Sequence, residues 1–289
     1  MTDAKTDYAA ADDVGEGERQ ALEALLFRLA DDEYVVAERY IEWQIYAPSL
    51  ESDLALANIA QDEFGHARLW YDLLQEFGRS EEEVLWERDS ADFRHSTLVE
   101  LPFEDGDWAD VVVRSYLYDT AERLRLEALA NSSYAPIRDR VGKVLSEERY
   151  HREHAGNWLE RLARKGEHGD ETSHRKLEAA TERLLPHALS LFEAGPHEAD
   201  IVEYGFRTRT LEDLREEWLD IVVSFMEGLD LAVPDPDEVE RPEEIGRDGS
   251  HTDDWFDLYD DFTHTYRELD FEEPIKLRAQ GPKEKGAAK

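Results

Sequence analysis

Two copies of the motif Glu-x-x-His interrupt apolar helix faces in this chain. Glu63 and His66 occupy places in a stripe of apolar residues spaced three and four apart, the spacing of a buried helix face. Glu148 and His151 interrupt a second stripe in the same way. Side chains three residues apart project from one side of a helix, so each pair can bind one metal ion. One pair is weak evidence, but two pairs that both face a core indicate a buried metal site.

Two further acids complete the set. Each motif helix is preceded by a predicted helix with one acid on its apolar stripe, Glu33 in the first case and Asp119 in the second. In antiparallel helices, residues at the same depth lie equally far from the connecting turn. Glu33 and Glu63 are equally far from Pro48, and Asp119 and Glu148 are related in nearly the same way about residues 133–134. The sequence therefore predicts two αα-hairpins of one design.

Four buried carboxylates would be costly if they were left unpaired, and two multivalent cations remove that cost. Four carboxylates and two imidazoles on four helices are the ferritin-like di-metal set. Oxygen ligands with one imidazole per metal favour iron, with manganese second. The predicted metal ligands are Glu33, Glu63, His66, Asp119, Glu148 and His151, with Glu122 as an alternative ligand or an acid behind the ligands.

Six other acids lie next to the predicted ligands in the sequence and are not expected to bind metal. Asp62 and Glu147 each precede a motif glutamate by one position, so they point about 100° away and are expected to make helix contacts or to orient the histidines. The remaining acids near Glu33 are expected to be solvated charges: Asp31, Asp32, Glu38 and Glu42.

The composition narrows the classes of protein. The chain has 289 residues, is 41% hydrophobic and contains no cysteine, so disulfides, thiolate metal sites and cysteine-held clusters are excluded. A net charge of −37 argues against nucleic-acid binding. We interpret that charge as a solvated acidic surface of the kind found in high-salt cytoplasm; the alternative is an acidic face for a basic partner. The polar N-terminus and the lack of a long apolar run predict a soluble, cytoplasmic protein without membrane contact.

The apolar periodicity predicts an all-α chain with almost no strand signal. Helices are expected near residues 18–46, 49–77, 108–131, 137–165, 174–194, 197–204, 210–231 and 254–269. Residues 1–17 are predicted to form a disordered acidic tail. Residues 18–236 are predicted to form a ferritin-like helical domain, with the core bundle over 18–165 and extra helices over 174–231. Residues 237–289 are predicted to form an acidic C-terminal extension with a flexible tail.

Four stretches carry a family resemblance: EYVVAERYIEWQIYAPSLESDLALANIAQDEFGH, SYLYDTAERL, EERYHREHAGNWLERL and, more weakly, WLDIVVSFMEGLDLAVPDPDE. Over roughly residues 28–237 the chain resembles the phenylacetyl-CoA ring 1,2-epoxidase family of phenylacetate catabolism. The resemblance implies a complex with two homologous ferritin-like chains. One chain is catalytic and holds a di-iron centre, and the other is a scaffold that has lost most of the ligands.

The stretches divide between these two chain types. ESDLALANI and the RYH…WLERL phrase are more like the scaffold chain, whereas QDE-GH, the SYAP turn and the VPDPD ending are more like the catalytic chain. All six predicted ligands match the catalytic pattern, and we therefore predict the catalytic type. Catalytic chains of the family carry a lysine one turn before the first motif glutamate, where this chain has Ile59. The substrate therefore stays open between phenylacetyl-CoA and a related aryl-CoA thioester.

The resemblance implies a di-iron monooxygenase subunit with O₂ as co-substrate. One oxygen atom is added across two ring carbons to give a ring 1,2-epoxide, and the other leaves as water. Electrons are expected from a separate flavin and iron–sulfur reductase, because this chain has neither cysteines nor a Gly-x-Gly-x-x-Gly segment. Two alternatives remain open: a metal-free scaffold subunit of the same complex, and a different ferritin-like di-iron or manganese oxidase.

Overall fold

A computed structural model describes residues 7–103, 107–164 and 171–268. Within these ranges the regular secondary structure is helical apart from one isolated bridge, which confirms the all-α, ferritin-like prediction. The helices are α1 (Glu16–Trp43), α2 (Leu50–Glu76), α3 (Thr97–Glu100), α4 (Trp108–Leu129), α5 (Ala135–Ala163), α6 (Glu171–Ala188), α7 (Glu198–Glu203), α8 (Leu211–Gly228) and α9 (Asp253–Glu268). A five-residue π-helix, Glu82–Trp86, lies in the long connection between α2 and α3.

The turns that join the bundle helices have clear sequence causes. Pro48 follows the end of α1, and the Ser49 hydroxyl then accepts a hydrogen bond from the Ser52 amide at 3.2 Å to cap α2. Gly78, with φ of +87°, follows the last turn of α2, where a residue with a Cβ atom would be strained. Pro136 lies in the first turn of α5, where its missing amide hydrogen costs nothing.

The bundle is made of two antiparallel hairpins, α1 with α2 and α4 with α5. The Trp43 ring at the end of α1 stacks on the Trp108 ring at the start of α4, with 6.1 Å between centroids. At the opposite end, Tyr8 bridges Tyr134 just before α5. The α1–α2 turn and the α4–α5 turn therefore lie at opposite ends of the bundle, and each chemistry-bearing residue is near the middle of its helix.

Both ends of the chain pack against this bundle where they are described. The Tyr8 amide donates to the Ser133 carbonyl and the Ala135 amide donates to the Tyr8 carbonyl, each at 2.9 Å, and the Tyr8 side chain is buried. Of the predicted N-terminal tail, residues 1–6 lie outside the described residues. So does the flexible tail predicted at the end of the extension, whereas α9 lies at the helix predicted near 254–269.

The prediction that Asp31 and Asp32 are solvated is wrong, because both side chains are fully buried. Arg88 holds Asp31 through two hydrogen bonds of 2.6 and 2.8 Å. Asp32 accepts hydrogen bonds from Arg125 on α4 and from Arg247, which follows α8. These arginines lie far from Asp31 and Asp32 in sequence, so the pattern within α1 could not reveal them.

None of the described helices is long and apolar enough to cross a membrane.

Candidate metal centre

Four helices bring the six predicted ligands into the bundle interior. Glu33 projects from α1, Glu63 and His66 from α2, Asp119 from α4, and the second motif from α5. All six side chains are at most 1% exposed. The apolar stripes therefore oriented each helix as the sequence predicted, and they bury the ionisable residues together with the hydrophobic ones.

Four of these residues form a mutually close set. Glu33, Glu63, His66 and Glu148 each offer one ligand atom, and these atoms all lie within 4.8 Å of one another. His66 Nδ1 is 3.4 Å from an oxygen of Glu63, 3.4 Å from one of Glu148 and 3.7 Å from one of Glu33. Each motif glutamate thus lies close to the motif histidine of the other hairpin, Glu148 to His66 and Glu63 to His151.

His151 joins the set from the other side. Its Nδ1 atom is 3.4 Å from Glu63 and 3.2 Å from Glu148, and its ring centroid is 6.1 Å from that of His66. Burial is the main cause that raises the pKa of Asp119, and Glu148 and Glu63 are close enough for their charges to raise it further. Glu63 and Glu148 therefore lie between the two imidazoles. Glu33 is nearer His66, and the charge of His151 acts to lower the pKa of Asp119.

The polar atoms that face this centre have no hydrogen-bond partners. Within the described residues, four carboxylates have both oxygen atoms buried and unpaired: Glu33, Glu63, Asp119 and Glu148. Nδ1 of His66 and Nδ1 of His151 are also buried and unpaired. Buried polar groups are normally satisfied, so ten orphaned atoms around one point require a partner that the polypeptide does not supply. Two metal ions fit this donor set of hard oxygens and one imidazole each.

The far side of each imidazole is held by an acid of the other hairpin. Nε2 of His66 lies 2.9 Å from Glu147 on α5, and Nε2 of His151 lies 3.3 Å from Asp62 on α2. A carboxylate on Nε2 fixes the tautomer with its proton there and leaves the Nδ1 lone pair for a metal. Asp62 and Glu147 thus contact the histidines as predicted. Because the acid on α5 contacts the histidine on α2 and the acid on α2 contacts the histidine on α5, the two hairpins are related by approximate two-fold symmetry.

Burial and mutual repulsion control the ionisation of the acids. Burial and the charges of Glu63 and Glu122 raise the pKa of Glu33 well above its usual value. Burial followed by the charge of Glu148 raises the pKa of Asp119 in the same way. Burial also opposes ionisation of Glu63, but its contacts with Glu33 and the two histidines outweigh burial and lower its pKa. Glu33 and Asp119 therefore bind protons more readily than ordinary carboxyl groups do, and bound cations would compete with those protons.

Glu122 lies behind the centre and is held by an arginine. Arg125 donates to Glu122 Oε2 through Nε at 2.8 Å and reaches Asp32 through Nη1 at 2.5 Å. Glu122 Oε1 is buried and unpaired. One oxygen is therefore committed to an arginine, and the other faces no partner in the described part of the chain. This arrangement suits an acid behind the ligands better than a bridging ligand.

The chain is similar in sequence to a known protein family. A sequence model of the phenylacetic acid catabolic protein family matches residues 1–272. The chain belongs to this family.

Two relatives in the family are curated as different subunits of one enzyme, the 1,2-phenylacetyl-CoA epoxidase of Escherichia coli (strain K12). The chain is 32% identical over 233 residues to the first of them, covering 80% of this chain and 90% of the relative. It is 28% identical over 199 residues to the second, covering 68% of this chain and 62% of the relative. The resemblance to the phenylacetyl-CoA epoxidase family is confirmed, and a role in phenylacetate catabolism follows. Because the chain is similar to both subunits, sequence similarity does not distinguish a catalytic from a scaffold role, and the argument for either role has to come from the residues of this chain.

This family member has a second buried ionisable cluster, which the sequence did not reveal. Glu100 of α3 accepts from His95 at 2.6 Å and from His251 at 2.8 Å, and its other oxygen accepts from the Thr252 amide. Ligands that share one ion at about 2.1 Å lie roughly 3.0–3.4 Å apart. The shorter separations here are those of hydrogen bonds, and the cluster is a clamp between α3 and the segment before α9. No helical stripe marks His95 or His251, so periodicity could not find them.

Proposed function

We propose that this chain is the metal-bearing oxygenase subunit of a phenylacetyl-CoA epoxidase-type complex. In this role it epoxidises the aromatic ring of phenylacetyl-CoA or a related aryl-CoA thioester in phenylacetate degradation. The observation that supports the proposal is the set of four buried carboxylates and two imidazoles without partners. A subunit with a purely structural role would have no reason to keep that many unpaired polar atoms at one point.

The ligand set assigns a role to each residue. Glu33, Glu63, Asp119 and Glu148 would hold two iron ions through carboxylate oxygens, and His66 and His151 would hold them through Nδ1. When bound, the two ions supply O₂ activation with electrons from a separate reductase. Glu147 and Asp62 hold the histidines in the tautomer that binds metal. The apolar stripes of the four helices keep bulk water from the centre.

Metal analysis tests the ligand assignment directly. Protein from iron-replete expression is expected to carry two iron ions per chain, with manganese as the weaker competitor. Glu63→Leu removes two buried carboxylate oxygens and His66→Gln removes one imidazole, so each is expected to abolish stoichiometric iron binding. Asp72→Asn is the matched control, because Asp72 lies on the same helix, where it accepts a hydrogen bond from the Gln75 side chain at 3.4 Å. Iron retained by Glu63→Leu or lost by Asp72→Asn would contradict the assignment.

Activity then separates the three candidate roles. Iron-loaded chain with its partner subunits and reductase is expected to convert phenylacetyl-CoA to the ring epoxide with consumption of O₂. A chain that is purified metal-free after iron-replete expression would instead be the scaffold subunit. Iron-dependent O₂ uptake without any modified CoA ester would point to a different di-metal oxidase.

A further inference from the structure

A pocket beside α1 is lined by four arginines, although the chain as a whole has a net charge of −37. This arginine pocket has a volume of about 320 Å³ and lies between α1, the segment that follows α2, and the segment before α7. Its arginines are Arg28, Arg79, Arg88 and Arg94. Arg28 precedes Glu33 by five positions on α1, so their side chains point about 140° apart. The arginine pocket therefore lies on a different face of α1 from the candidate metal centre.

Three of these arginines keep N–H donors that no described residue accepts. Arg28 is only 6% exposed, and its Nε atom is buried without a partner. Arg79 donates to Glu23 through Nε and Nη2, which leaves Nη1. Arg94 donates through Nη1 alone, to two backbone carbonyls, and forms no salt bridge in the described part of the chain. Buried donors normally have acceptors, so these donors indicate a ligand that the chain itself does not supply.

The acids that hold Arg28 and Arg79 are shared with arginines outside the pocket. Each of two acids binds one arginine of the pocket and one beyond it: Glu23 binds Arg79 and Arg19, and Glu198 binds Arg28 and Arg207. Burial lowers the pKa of Arg28 to about 10, and the charges of Arg247 and Arg207 act in the same direction. Positive charge is therefore crowded at this end of α1.

The remaining acids do not remove this excess. Arg88 is balanced by Asp31 at 2.6 Å. Glu83 and Asp92 line the pocket; Glu83 accepts a hydrogen bond from the Ser80 amide at 2.8 Å, and Asp92 is exposed to solvent. Across the pocket and its immediate ion pairs, six arginines meet five acids, so one positive charge is left over. A bound anion would balance that charge and accept from the unpaired donors.

The donors favour phosphate over carboxylate. Guanidinium groups bind both anions through forked hydrogen bonds. A carboxylate has two oxygen atoms, whereas a phosphate ester has three terminal ones, one for each arginine with an unpaired donor. The volume is at the lower end of the range for small-molecule pockets, which leaves room for more than the phosphate itself. Phe27 and Pro196 provide an apolar wall, and the Arg88 guanidinium lies 4.4 Å from the centroid of the Phe27 ring.

We propose that the arginine pocket binds the phosphate group of a phosphate ester, whose organic part packs against Phe27 and Pro196. Such a group could be part of a separate nucleotide or the nucleotide end of a CoA thioester. Binding itself does not depend on the metal chemistry. Only the assignment to a CoA thioester rests on the proposed function.

Isothermal titration of the full chain with AMP tests the site. AMP is expected to bind, and adenosine and adenosine-5′-carboxylate are expected to bind at least about tenfold more weakly, because they lack the phosphate oxygens. Arg94→Gln removes the arginine that has no acid partner and is expected to weaken AMP binding by about 10–100-fold. Arg149→Gln on α5 is the matched control, since its side chain is 72% exposed, and it is expected to bind AMP within about twofold of wild type.

Three results would overturn the proposal. The first is that wild type does not bind AMP, and the second is that Arg94→Gln binds AMP as tightly as wild type. The third is that adenosine or its 5′-carboxylate binds as tightly as AMP, which would show that the phosphate is not recognised. Thermal unfolding reports whether Arg94→Gln is folded. If it is not, Arg79→Gln replaces it with the same expectation, because the Arg79 side chain is 40% exposed.

Steady-state kinetics of the reconstituted complex separate the two sources of the phosphate. If Arg94→Gln raises KM for the CoA thioester about tenfold without a comparable loss of kcat, the pocket binds the phosphates of the substrate. If KM is unchanged while AMP binding is lost, the pocket binds a separate phosphate ester. A complex without epoxidase activity would contradict the proposed function, whereas the AMP titration would still decide whether the pocket binds phosphate.

Discussion

The acid behind each imidazole provides the sharpest test of the candidate centre. Glu147 lies 2.9 Å from Nε2 of His66 and is itself bound by Lys143 at 3.2 Å. Its side chain is 31% exposed, so it can be changed without opening a cavity in the core. Glu147→Gln keeps a neutral acceptor for the Nε2 proton, whereas Glu147→Ala removes the acceptor. The series therefore separates tautomer control from the charge that makes the imidazole a better ligand.

The expected losses follow from this geometry. Removing an outer partner of a metal-bound histidine weakens metal affinity by about 10–100-fold, or about 1.4–2.7 kcal/mol. Glu147→Gln is expected near the lower value and Glu147→Ala near the upper value. Asp62→Ala is expected to cost less than Glu147→Ala, because Asp62 is 3.3 Å from Nε2 of His151 and is 41% exposed. A competition titration of apo protein with iron(II) against a chelator measures each dissociation constant.

A control variant and a stability measurement complete this experiment. Glu153→Ala removes an acid from the same helix that is 65% exposed and contacts Arg149 at 3.9 Å, so it is expected to leave metal affinity unchanged. Urea unfolding of the apo proteins is expected to differ by less than about 0.5 kcal/mol across the series. Unchanged affinity in Glu147→Ala, or a larger loss in Asp62→Ala, would refute the role of these acids.

Two further predictions concern stability. Burial lowers the pKa of His95 to about 4, and the charge of His251 adds to this effect. The folded state therefore takes up a proton on His95 only at a lower pH than the unfolded state does. The free energy of unfolding is therefore highest above about pH 6.5 and falls by up to about 3 kcal/mol as the pH is lowered toward 4. Urea unfolding at several pH values measures this dependence, and His95→Asn should make it flatter. Arg247→Met leaves Asp32 with Arg125 as its remaining arginine and should lower the free energy of unfolding by roughly 2–3 kcal/mol. Arg241→Met is the control: Arg241 is 47% exposed, so its removal should change the free energy of unfolding little.

Helical periodicity explains why the bundle, and the burial of the six candidate ligands inside it, could be predicted from the sequence. A buried helix face has a fixed spacing, and Glu63 and His66 fall on it among apolar residues. The turn at Pro48 then relates α1 to α2, so residues at one depth could be paired without coordinates. The rest depends on contacts between distant segments. Arg247 reaches Asp32, and His251 reaches Glu100, from a stretch with no helical pattern, and no spacing rule connects these residues.

The structure contains two kinds of buried acid, and the difference between them locates the centre. Asp31, Asp32 and Glu100 are buried, but each is matched by arginine or histidine at hydrogen-bond distance. Glu33, Glu63, Asp119 and Glu148 are equally buried, yet no oxygen among them has a hydrogen-bond partner in the described residues. The fold supplies hydrogen-bonded partners to the first group, whereas the second group has only two histidines nearby, at 3.2–3.7 Å from three of its four acids. Four acids facing two imidazoles leave room for positive charge from outside the polypeptide. That contrast, more than the number of acids, supports a di-metal centre.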